Sequence, residues 1–231
     1  MQTTNTSTNG HRGPHPGIVA IVYTLLFNAG LYQVISFTGG PHFPGPWESS
    51  ETIAAYFQGH SKAVLICAFL QFGAAIPLGI FATTMVSRLQ FLGVRAAGAY
   101  IALFGGLMTA FNMAASALTL WVMAYPGIAQ ETAVLRALYY LVFATGGVGF
   151  SVPMGLLIVG LSVPAAVMKL LPKWLVIFGL ALGIIGELSA LSLVIPQALF
   201  LIPLTRFPGF IWLIAAGFAL PKTVSSVDTA N

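Results

Sequence analysis

The sequence predicts an all-α membrane protein, a polytopic transmembrane helix bundle of six spans with both termini cytoplasmic. Three observations predict it. Hydrophobic residues make up 58% of the chain and charged residues only 6%, against about 25% charged in an ordinary soluble domain. Five stretches reach the roughly 20 apolar residues that one bilayer crossing needs, and a sixth, the shortest, follows near the end. The basic residues gather between alternate stretches, as the positive-inside rule describes. Arg12, Arg88, Arg95, Lys169, Lys173 and Lys222 fall on the side of the termini; Lys62, Arg136 and Arg206 fall on the other, with Glu48, Glu51 and Glu131.

Residues 1–17 are rich in Thr, Asn, Ser, Gly and Pro and read as a disordered cytoplasmic tail. One bundle, residues 18–221, follows. Its first span, 18–38, is longer than a signal-peptide core of about 7–15 residues and lacks a small-residue cleavage site. It reads as a retained helix with Asn28 near its middle.

Residues 39–61 form an outer loop. Its Gly/Pro-rich start, 39–46, cannot be helical throughout. Glu48 and Glu51 then sit where acids favour the positive end of a helix dipole. Ile53, Tyr56 and Phe57 share a face, and Trp47 precedes them. The pattern predicts a short helix lying in the membrane interface.

The second span, 63–87, carries Gln71 and the pattern Gly73–Pro77–Gly79. The fourth, 144–168, repeats it as Gly149–Pro153–Gly155. Proline lacks an N–H for the carbonyl four residues back, so kinks are expected at Pro77 and Pro153. The carbonyls of Gly73 and Gly149 become bare acceptors, open to a ligand group or water. Ser151 lies beside the second of them. The sequence from Glu131 to Leu141 makes the fourth apolar stretch too long for one crossing, which predicts an interfacial or projecting outer piece.

The third span, 96–123, spaces Gly98, Ala102, Gly105, Thr109, Asn112, Ser116 and Thr119 by threes and fours. Such residues share one face. Small residues admit another helix, and the polar ones can bond across the contact. Alternatively, the polar half of this face lines a cavity.

The fifth span, 174–195, carries Gly179, Gly183 and Gly186 for close packing, then Glu187. An ionisable residue at membrane depth is a functional candidate. Arg206, across the next turn, is its nearest partner, and an ion pair between the last two helices is the structural alternative. Glu187 is expected to face a neighbouring helix and not lipid. The sixth span is placed at 207–220, with an earlier start near Phe200 as the alternative. Residues 222–231 complete the chain as a cytoplasmic tail.

No cofactor or metal site is predicted. The four histidines lie outside the spans, and Cys67 is the only cysteine, which excludes an internal disulfide. Nucleotide-binding and hydrolase motifs are absent. The scattered cations offer no nucleic-acid surface.

Four stretches carry a resemblance: Gly45-Pro46-Trp47-Glu48 through Tyr56-Phe57, Gly146-Gly147-Val148-Gly149, Gly186-Glu187-Leu188-Ser189, and Arg206-Phe207-Pro208-Gly209-Phe210-Ile211-Trp212-Leu213. With them the chain resembles a group of uncharacterised bacterial multi-pass membrane proteins, a domain-of-unknown-function family. The resemblance spans nearly everything after the tail. It implies a six-helix bundle in the bacterial cytoplasmic membrane, and it implies no activity.

The leading functional expectation is a non-enzymatic bundle that binds or moves a small molecule or lipid in an outward-facing polar pocket. Glu187, Arg206, Asn112, Gln71, Asn28 and Ser151 are its candidate lining. A structural or regulatory subunit that docks a partner by its glycine faces is the second reading. An enzyme acting on a lipid-soluble substrate is the third. The bilayer is the one certain partner, and homo-oligomerisation is left open.

Overall fold

The protein is described by a computed structural model covering residues 10–35 and 42–223. Eight α-helices follow in order: α1 (Pro16–Val34), α2 (Ser50–Gly59), α3 (Ser61–Phe91), α4 (Ala97–Met123), α5 (Thr132–Gly146), α6 (Val148–Val167), α7 (Lys173–Leu188) and α8 (Leu201–Ala219). Six segments are long and apolar enough to cross a bilayer, with α5 and α6 together supplying the fourth. Their large outward side chains, such as Leu25, Phe69, Phe111, Ile177 and Ile211, have no protein covering them. Such a surface suits hydrocarbon and not water. The chain is an integral multi-pass membrane protein.

Local sequence sets the helix ends. Pro16 occupies the first turn of α1, where its missing N–H costs nothing. Pro16 and Gly17, assigned to the tail from composition, are thus the buried start of the first span. The Ser49 hydroxyl accepts from the Thr52 N–H at 3.2 Å and caps α2, as an N-cap serine should. Gly93, at φ +89°, ends α3 and lets the Val94 N–H reach back to the Leu89 carbonyl.

The last span begins earlier than 207. Its helix starts at Leu201, and a 3₁₀ turn over Pro196–Phe200 leads into it. Arg206 and Pro208 lower the apparent hydropathy of this segment, although both sit inside the helix.

α4 is central and packs against α3, α5 and α6. The contact with α6 is almost backbone to backbone. A Cβ placed on Gly105 would lie 2.5 Å from the Pro153 carbonyl oxygen, and one on Gly160 would lie 2.6 Å from the Ala102 nitrogen. Gly98 faces the Gly160 carbonyl and Pro164. On the far side of α6, α7 approaches through Gly179, Gly183 and Gly186. Gly186 meets Gly155 and Ser151, while Gly179 meets Ser162 and Trp212. Trp212 of α8 is fully buried, and its indole N–H donates to the Leu175 carbonyl at 2.8 Å.

Two apolar cores result. The larger runs through the bundle and holds Tyr23, Phe27, Leu78, Phe81, Met85, Phe150, Met154 and Trp212. The second lies at the end remote from the termini and joins α2 to Val34, Cys67, Leu120, Leu135 and Tyr139. The short helix expected in this loop is present, and its apolar face turns to protein: Ile53, Ala54, Tyr56 and Phe57 are buried against α5 and the 3₁₀ turn Ile128–Gln130. Side chains fasten this cap. The Tyr56 hydroxyl donates to the Val34 carbonyl at 2.9 Å, Gln58 to Ala129 at 3.0 Å, and Arg136 to the Ser50 hydroxyl at 3.1 Å.

At the opposite end the segment before α1 meets the segment after α8. Gly10 pairs with Thr223 in an isolated antiparallel bridge. The His11 N–H donates to the Lys222 carbonyl at 2.9 Å. The His11 ring bonds Ser87 at 3.0 Å. Arg88 is buried and donates to the Leu220 carbonyl at 3.3 Å, at the C-terminus of α8, where a cation suits the helix dipole.

Candidate functional site

A cavity of about 300 Å³ lies between the two cores, at the end covered by α2. It forms where α5 parts from α1 and α8. α1 contributes Phe27, Leu31 and Val34, α3 contributes Cys67 and Gln71, and α4 contributes Met113, Ser116 and Leu120. Across from them stand Tyr139, Val142, Phe143 and Gly146 of α5, Gly147 after it, and Phe150 of α6. α8 closes the remaining side with Ile202, Pro203 and Arg206, next to Leu199, and Phe43 stands above. The Phe43 ring meets Tyr56, Phe57 and Tyr139 edge-on at centroid distances of 5.4, 6.2 and 5.7 Å. The Tyr139 hydroxyl is tied to the Pro44 carbonyl, which holds this segment of loop against α5.

The lining is mainly aromatic and aliphatic, with a few polar groups, which is the usual make-up of a small-molecule site. Arg206 is the one cation among the lining residues. Its guanidinium lies 4.4 Å from the Phe150 ring centroid and 5.3 Å from that of Phe27. One terminal nitrogen, Nη2, donates to the Gly146 carbonyl. Nε is enclosed and has no partner. Among the described residues no acid lies within salt-bridge distance of it; Glu48 is instead hydrogen-bonded to the His42 ring in the loop, at 3.0 Å. Gln71 also lines the cavity, and its amide has no hydrogen bond to any described residue.

The other candidates lie elsewhere. Glu187 is exposed and does not meet Arg206, so neither the expected ion pair nor the expected burial against a neighbour occurs. The reason is local. α7 ends at Leu188 and passes into the 3₁₀ turn Ser189–Leu193. Gly186 holds the helix to α6, and the next side chain turns outward. Asn28 is exposed on the outer side of α1, and its amide is spent on the Thr24 carbonyl at 2.7 Å. Ser151 is fully buried with its hydroxyl unpartnered, packed near Gly186 and outside the cavity lining.

Asn112 has a different job. Its amide donates to the Gly149 carbonyl at 2.7 Å, the group that Pro153 deprives of its helical N–H. That carbonyl is therefore not open to a ligand. Two related bonds lie nearby. The α5–α6 break at Gly147 frees the Gly146 carbonyl, which Arg206 of α8 takes, and one turn earlier Ser116 of α4 adds a bond to Val142 O at 3.0 Å. A backbone polar group left unpaired in hydrocarbon costs several kcal/mol, so these side chains let the fourth span break inside the membrane. A side chain at Gly147 would run into the Phe143 carbonyl, which is why glycine stands at the break. α3 runs through Pro77 and α6 through Pro153 without interruption.

Sequence reasoning found Gln71 and Arg206 and missed the ring-lined remainder: Phe27, Phe43, Tyr139, Phe143 and Phe150. These come from three separate helices and a loop, so they leave no periodic signal. The clue on offer was Phe43 itself, a large ring inside an otherwise Gly/Pro-rich loop.

Searches against family models, curated proteins and solved structures find no match to this chain.

Proposed function

We propose that the protein binds or carries a small, largely apolar molecule in the cavity between its two cores. One observation carries this reading: an aromatic-lined space of about 300 Å³ with Arg206 and Gln71 turned into it. Its volume is at the lower end of the roughly 300–1,000 Å³ of known ligand pockets. The glycine faces offer less for the reading of a partner-docking subunit. Gly98, Gly105, Gly179, Gly183 and Gly186 are already filled by helices of the same chain.

We also propose that the cavity opens outward, with both termini in the cytoplasm of a bacterial cell. Of nine Lys and Arg, Arg88 is buried and Arg206 faces the cavity. Of the remaining seven, Arg12, Arg95, Lys169, Lys173 and Lys222 are exposed at the terminal end, and only Lys62 and Arg136 at the other. Five against two supports this orientation. The bacterial assignment rests on the family resemblance of the sequence.

Mass spectrometry of molecules retained by the purified protein tests the reading. A retained apolar compound should be lost from Val142→Trp, which fills the cavity from α5. The same retained compounds in both proteins would refute it.

A further inference from the structure

Arg206 poses a question of charge. Its bond to Gly146 completes the hydrogen bonding of a freed carbonyl, but that task needs no cation. Asn112 performs it for Gly149 with a neutral amide, one helix away. A guanidinium at this depth is costly to hold. The rings of Phe27 and Phe150 offset part of the cost by cation–π attraction. No carboxylate among the described residues offsets the remainder. The guanidinium keeps further donors. Nε is without a partner, and Nη1 has none among the described residues. The side chain forms part of a cavity wall that is otherwise apolar but for Gln71, Ser116 and Tyr139. Ser116 and Tyr139 already donate their hydroxyls to backbone carbonyls.

We propose that the cavity takes a monoanionic amphiphile, its carboxylate on the free side of Arg206 and its apolar body among the rings of Phe27, Phe43 and Phe150. This rests on the pocket reading above and narrows it to a class of ligand. One cation calls for one negative charge. A planar guanidinium matches a carboxylate better than an ammonium does. The space equals about ten water molecules at ~30 Å³ each, so the body is a medium-chain acyl group or a fused aromatic ring and not a two-chain lipid.

Native mass spectrometry of the full chain released from detergent tests this. The probes are decanoate and 2-naphthoate, each against its neutral counterpart, decan-1-ol and 2-naphthalenemethanol, at equal concentration. At least one acid should be held about tenfold more tightly than its alcohol, as a charge-assisted bond predicts. The preference should vanish in Arg206→Gln and persist in part in Arg206→Lys. Which acid wins tells a fatty acid from an aromatic one. If Arg206→Gln does not fold, the acid-to-alcohol ratio of the natural protein decides alone. Acids and alcohols held alike, and both lost in Val142→Trp, would overturn the anion while leaving the pocket. No retention of any probe, or retention indifferent to Val142→Trp, would overturn both.

Discussion

The amide of Asn112 donates to the carbonyl of Gly149 across the α4–α6 seam, at 2.7 Å. Pro153, four residues on, is the reason that carbonyl is free to accept. Asn112→Ala should therefore cost about 1–3 kcal/mol, the usual penalty for stranding a buried acceptor. Pro153→Ala restores an N–H to the helix. In that background the cost of Asn112→Ala should fall by at least ~0.5 kcal/mol. Denaturation of the four proteins in detergent gives the cycle, and strict additivity would show that the two residues are not coupled.

Two glycines of the spans border unlike neighbours. At Gly73 an added methyl meets nothing within 4 Å. Gly73→Ala should be neutral, or stabilising by up to ~1 kcal/mol through helix propensity. At Gly105, on the central helix, the same methyl lies 2.5 Å from a backbone oxygen of α6. Backbone cannot step aside cheaply, so Gly105→Ala should cost about 1–3 kcal/mol. Equal melting temperatures for the two variants would contradict the seam.

Glu187 offers a negative prediction. Its carboxylate is exposed and makes no hydrogen bond or ion pair among the described residues. Glu187→Gln should leave stability within about 0.5 kcal/mol of the natural protein and leave ligand retention unchanged. A large loss on either measure would place the side chain somewhere other than α7's outer surface.

The contact between His11 and Lys222 should weaken in acid. Burial holds the His11 pKa below its ordinary value of 6.5, and the nearby Arg88 and Lys222 charges act in the same direction. A depressed folded-state pKa means that the contribution is complete above the unfolded value and is lost as pH falls through the folded one. Hydrogen-exchange protection of the His11 amide, which bonds Lys222, should therefore be high at pH 8 and reduced at pH 5. His11→Gln should flatten that dependence.

Hydropathy exposed the spans because crossing a bilayer is a property summed over some twenty residues, and single exceptions wash out. It placed the start of α8 late because Arg206 counts as a charge wherever it points. The pocket was harder to see. The sequence offered Glu187 as the partner of Arg206, since unlike charges across a short turn are the obvious pair. The structure gives Arg206 a backbone carbonyl and two rings instead, and no residue type marks a carbonyl that a helix break has freed. Asn112 shows the same limit. The sequence displayed a bare acceptor at Gly149 and an amide on α4, but only the packing of Gly105 against Pro153 brings them together.

Gly10 and Thr223 lie side by side, so the segments that enter and leave the bundle lie together. A short linker joining them would make a ring without moving a helix. Cutting that ring between Pro126 and Gly127, where both residues are exposed and Gly127 sits at φ +93°, would give a circular permutant with the same fold and reversed topology at its ends. Its new first and last residues would lie between α4 and α5, which both line the cavity, so a tethered reporter there could sense what binds.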